Sequence, residues 1–140
     1  MEQIIQKNLQ KGEFRKALNL LEIHKEKGTN NIVLNYYLGK IYFQLNDHKK
    51  SLFYFRKCNQ INPDNPKILY NLAQVLQGLG KINEAKKIYE KLIKKNSTDI
   101  KSYYGLFNLG VKNINDDYAI KLQKLSNDKK IKLFDKCLIN

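Results

Sequence analysis

Asn35-Tyr36-Tyr37-Leu38-Gly39-Lys40-Ile41-Tyr42, followed at fixed distances by Ser51, Phe55, Cys58 and Pro63, decides how this chain folds. The spacing describes a pair of antiparallel helices. Small residues stand where one helix must approach its neighbour closely, and larger apolar residues fill the gaps on either side. Pro63 cannot extend the helix before it and turns its predecessor away from helical backbone, so it closes one unit and opens the next. A single pair of this kind cannot bury its apolar faces alone. The stretch therefore predicts neighbours at the same period.

They are present. Moving 34 residues on from Leu38 gives Leu72 and then Leu106, and moving back gives Ile4. Ser51 maps onto Ala85, Ala119 and, backwards, Ala17, which keeps a small side chain at that position in all four units. Phe55 maps onto Tyr89 and backwards onto Leu21, but forwards onto Gln123. The period predicts an all-α chain forming one domain, 1–140, of about four helix-turn-helix repeats. They are a partial repeat over 1–31, full repeats over 32–65 and 66–99, and a degenerate repeat over 100–127, with a capping helix over 128–140.

This pattern resembles the tetratricopeptide repeat, whose signature is Trp-x2-Leu-Gly-x2-Tyr, then Ala-x3-Phe, then Pro. Leu38, Gly39, Tyr42, Phe55 and Pro63 match by identity, Asn35 stands for the Trp, and Ser51 for the Ala. The resemblance implies a right-handed α-solenoid whose first helices line a concave channel that holds extended peptides. Carried over, the lining is Val33, Tyr36, Tyr37, Lys40, Phe43 and Gln44 from the second repeat. Lys67, Tyr70, Asn71, Gln74 and Gln77 follow from the third, and Lys101, Tyr104, Asn108 and Lys112 from the fourth. Tyr36, Tyr70 and Tyr104 recur at the repeat length and should form a ladder. Tyrosine gives rigid contact area at low entropic cost, and amides can bond a peptide backbone. Some members hold acidic chaperone tails with a two-carboxylate clamp of five residues. Asn71 and Lys101 match it, whereas Tyr36, Lys40 and Gly105 depart from it.

The implied function is a non-catalytic adaptor that binds an extended, acidic peptide of another protein, since Lys40, Lys67, Lys101 and Lys112 face the channel and Glu2 alone opposes them. There are two alternatives. The run from Tyr103-Tyr104 through Asp116-Asp117, Leu122 and Leu125 to Leu133 is similar to the repeat segment preceding some bacterial sulfotransferase domains, which implies an accessory module of a larger transferase. An RNA-binding helical repeat is the other.

Composition bounds these readings. The net charge is +13, yet Arg15 and Arg56 are the only arginines. Recognition of phosphates and bases favours the bidentate arginine fork, so a lysine coat argues against nucleic acid as partner. No run reaches the length of a membrane-spanning helix, and Met1–Lys7 lacks the regions of a secretory signal, so a cytoplasmic protein is expected. Cys58 and Cys137 have no paired framework or metal spacing. No phosphate loop, nucleophile with a placed base, or ligand cluster is found, so no cofactor, no metal and no enzymatic activity are expected.

Helices are expected near 1–10, 13–27, 31–44, 48–60, 66–78, 82–95, 100–112, 116–125 and 129–138. The first should carry Ile4, Ile5 and Leu9 on one face. His24 should be a hydrogen-bonded packing residue, an asparagine of Asn30-Asn31, Asn65 and Asp99 should cap helices, and Glu90 should pair with Lys94.

Overall fold

The computed structural model describes residues 2–25, 31–110 and 116–127. Among them are eight helices and no strand: α1 (Glu2–Gln10), α2 (Phe14–Lys25), α3 (Ile32–Gln44), α4 (His48–Ile61), α5 (Pro66–Gly78), α6 (Ile82–Lys95), α7 (Ile100–Phe107) and α8 (Asp116–Asn127). The chain divides into two compact units, Met1–Lys81 with α1 to α5 and Ile82–Asn140 with α6 to α8. The expected ends 28–30, Lys112, Cys137 and the capping helix over 128–140 lie outside the described residues, as do the side chains of Ala119 and Leu122.

The turns inside the helix pairs obey the repeat. Gly12, Asn46 and Gly80 stand 34 residues apart and all adopt left-handed backbone, with φ of +73°, +60° and +72°. Each closes the preceding helix with the same two bonds. The Asn46 N–H donates to the Phe43 carbonyl (3.0 Å) and the next N–H, of Asp47, to Tyr42 (2.9 Å); Gly80 and Lys81 repeat the pair on Gln77 and Leu76. Such a double closure satisfies carbonyls that the helix end leaves orphaned, and it needs a residue that tolerates positive φ. Asparagine tolerates it less well than glycine. Asn46→Gly should therefore raise stability by about 0.5–1 kcal/mol, read as a higher urea midpoint at unchanged slope; a lower midpoint would show that the Asn46 side chain matters to the fold.

In the first unit each helix packs on the next, and α3 also meets α5. Ile5, Ala17, Leu21, Leu34, Tyr37, Leu38, Ile41, Tyr42 and Tyr54 form one core. Ser51 and Ala17 are both 0% exposed, and Ser51 is small for a reason beyond space: its Oγ donates to the Gly39 carbonyl at 2.8 Å. Gly39 lets the Phe55 ring lie against the α3 backbone, where a Cβ would come within 3.0 Å of it. Asn31 and Asn65 cap α3 and α5 through their side-chain oxygens, and Pro66 opens α5. His24 Nδ1 lies 2.8 Å from the Leu20 carbonyl. The first repeat departs from the register at one point. Ile4, the counterpart of buried Leu38, is 56% exposed, whereas Ile5 is 1% exposed. Helix α1 commits Ile5 to the core in its place.

In the second unit α6 packs on α7 and α7 on α8. Ala85, Tyr89, Leu92 and Ile93 form the buried face of α6, and Ser102, Tyr103, Gly105 and Leu106 that of α7. Three expectations are corrected here. Helix α7 stops at Phe107 rather than running to 112, because Leu109 and Gly110 donate back to Leu106 and Phe107 and Gly110 turns left-handed at φ +64°. Asp99 precedes α7 without a side-chain cap bond; its Oδ2 accepts from Ser102 Oγ at 2.6 Å instead. Glu90 lies 3.9 Å from Lys86, one turn back, rather than pairing with Lys94. Gly105, expected only to weaken its helix, has a packing role: the Tyr89 ring occupies the space its side chain would need.

Candidate functional site

Helices α1, α3 and the start of α5 bound a cleft of about 490 Å³ in the first unit. Of the expected lining, Val33, Tyr36, Tyr37, Lys40 and Lys67 meet there. Their shared face follows from helical spacing, since Val33, Tyr36, Tyr37 and Lys40 are three and four residues apart. The rest of the wall is Glu2, Gln6, Leu9 and Gln10 of α1. Of these the sequence reading had singled out Glu2 alone for the channel. The signal was available, because Glu2, Gln6 and Leu9 are four and three residues apart and so share one face of α1.

Tyr37 does not stand free in the cleft. It is largely buried, accepts a bond from Gln6 Nε2 at 2.7 Å and donates to Glu2 Oε1 at 2.9 Å. Burial pushes its hydroxyl above the usual tyrosine range, with the Glu2 carboxylate adding to the effect and the Gln6 bond opposing it. Tyr37 is thus a strut between α1 and α3 that holds Glu2 at the rim. Tyr36 is half-buried, set edge-on to Phe55 at 5.8 Å, with Lys40 Nζ 5.9 Å from its ring centre. Its hydroxyl accepts from Asn71 Nδ2 at 3.2 Å, and the same amide donates to the Lys67 carbonyl at 2.6 Å. Both N–H bonds of Asn71 are thereby engaged, which leaves its carbonyl as the group able to meet a ligand.

Tyr70 and Gln74 are half-buried on α5. Lys101, Tyr104 and Asn108 belong to the second unit, Lys101 and Asn108 exposed and Tyr104 half-buried. The structure also explains the missing member of the two-carboxylate clamp. Gly105 stands at the arginine position, and the Tyr89 ring fills the room that a side chain there would take. No group of three or more His, Cys, Asp or Glu side chains able to hold a metal is found among the described residues. Cys58 is buried, its thiol pushed up to about 11 by desolvation, 3.5 Å from the Ile32 carbonyl.

Helix pairs closed by equivalent turns at one period define a helical-repeat protein. Residues 42–106 match the model of the tetratricopeptide repeat, so this stretch of the chain carries tetratricopeptide repeats. Solved structures agree on the fold. MamA from Desulfovibrio magneticus RS-1 superposes with a TM-score of 0.77 at 16% identity, covering 91% of this chain and 76% of that one. A double mutant of MamA RS-1 gives 0.81 at 14% identity, over 91% and 74%. The first TPR domain of human RPAP3 gives 0.69 at 17% identity, over 91% and 93%. At these identities the likeness carries the α-solenoid fold alone. No curated protein matches the sequence.

Proposed function

We propose that the chain is a non-catalytic interaction scaffold whose α1–α3–α5 cleft takes an extended, acidic segment of a partner protein. One observation carries this reading: Tyr36, Lys40 and Lys67 converge on an open cleft, and Glu2, the carboxylate among its lining residues, is held by the Tyr37 hydroxyl. The two ammonium groups then attract the ligand while the Tyr36 ring gives it contact area. Lys67 lies in the first turn of α5, just past the Asn65 cap, where the helix dipole also favours negative charge. Exposed charge pairs are worth about 0–1 kcal/mol each and are screened by salt, so lysines set preference and rate more than strength. The fold supports the same conclusion, because a helical repeat offers an extended concave surface. No helix among the described residues is long and apolar enough to cross a membrane.

The test is Lys40→Glu with Lys67→Glu. Replacing Tyr36 by alanine would also strip an edge contact from core Phe55, whereas both lysines can be changed without touching the core. In a pull-down followed by titration of each captured partner, the reversed protein should lose acidic segments by at least about tenfold in affinity and keep its helicity. Undiminished affinity for the same partners at low salt would remove the cleft as the binding site.

A further inference from the structure

The second unit carries a cleft of its own, of about 830 Å³. Lys87, Lys91 and Lys94 of α6 and Lys121 of α8 line it, all exposed. Its floor is aromatic: buried Tyr103 meets half-buried Tyr118 edge-on at 5.9 Å. Glu90 is the one carboxylate among the described lining residues, and its ion-pair neighbour is Lys86 at 3.9 Å. Four ammonium groups around one cleft repel one another, and the surface is complementary to a row of negative charge.

We propose that this cleft docks an extended acidic segment of a partner protein, with carboxylates at alternate positions. The spacing selects that form. Lys87 and Lys91 are one helical step of four apart, a rise of about 6 Å, and alternate side chains of an extended chain on one face are roughly 6.7 Å apart. An Asp-x-Asp or Glu-x-Glu stretch laid along α6 therefore meets successive lysines in register. A polynucleotide fits less well. The lining holds no guanidinium fork, and Tyr103 is buried with its edge against Tyr118, so it offers no open face for a base to stack on.

The experiment titrates the full chain with three labelled probes by fluorescence anisotropy. One is a short peptide of alternating aspartate and threonine, the second has the same composition with its aspartates in one block, and the third is an oligothymidylate of equal charge. The alternating peptide should bind tightest, and Lys87→Gln with Lys94→Gln and Lys121→Gln should weaken it about tenfold. Lys40→Gln with Lys67→Gln should leave it within about twofold, which separates this cleft from the one in the first unit. Equal binding of the alternating and blocked peptides would overturn the register argument. Loss of binding only in the Lys40 and Lys67 variant, or tighter binding of the oligothymidylate with the same lysine dependence, would overturn the proposal.

Discussion

Ala85→Arg should destabilise the protein by at least about 3 kcal/mol, because it places both extra volume and an unpaired charge at a position with no room for either. Ala85 is 0% exposed and opens the buried face of α6. At roughly 2–4 °C per kcal/mol for a chain of this size, the melting temperature should fall by about 10 °C. Lys87→Ala, two residues along and exposed, should change stability by no more than about 0.5 kcal/mol. Thermal melts followed by circular dichroism compare the buried and the exposed side of α6 in the two variants. An Ala85→Arg protein that melts with the parent would mean that the side chain escapes to solvent and that the buried face of α6 is misassigned.

Gly105→Ala is the second large effect, and here two principles oppose each other. An exposed glycine inside a helix costs about 1 kcal/mol relative to alanine, so the substitution would ordinarily stabilise. Gly105 is buried, however, and its added methyl would fall inside van der Waals contact of Tyr89 Cε1 and Cζ. Tyr89 is itself 0% exposed, so its ring cannot simply swing out to solvent. Overpacking of a well-filled core costs about 1–3 kcal/mol, which outweighs the gain in helix propensity. Gly105→Ala should lower the urea midpoint, and Tyr89→Leu in the same chain should recover part of the loss, making the pair less than additive. A Gly105→Ala protein more stable than the parent would show that propensity wins and that the ring yields.

Much of this was legible in the sequence because it is one-dimensional. A period of 34 residues constrains which side chains can share a buried face before any coordinates are known. Leu38, Leu72 and Leu106 are all buried, as are Ala17, Ser51 and Ala85, and as are Leu21, Phe55 and Tyr89. The caps at Asn31 and Asn65 and the proline opening α5 were legible for the same reason, since each acts within a few residues of itself. The pattern lost its force where a repeat departs from the signature. Ile4 is exposed, α7 is shorter than its repeat requires, and Asp99 bonds Ser102 rather than a helical N–H.

The sequence by itself determined the repeat, its register and the four residues Val33, Tyr36, Tyr37 and Lys40 that share one face of α3. Tertiary structure alone decided which of those four is available to a ligand. Tyr37 and Tyr36 are adjacent tyrosines, yet one is tied to Gln6 and Glu2 of α1 and the other accepts from Asn71 of α5. It likewise decided that Gly105 must be glycine, and that Lys87, Lys91 and Lys94 share a cleft with Lys121. The physical reason is range. Capping and helical periodicity act over one or two turns of chain, whereas a hydroxyl's partner or a glycine's neighbour is set by helices brought together in packing, at separations of 16 to 35 residues here.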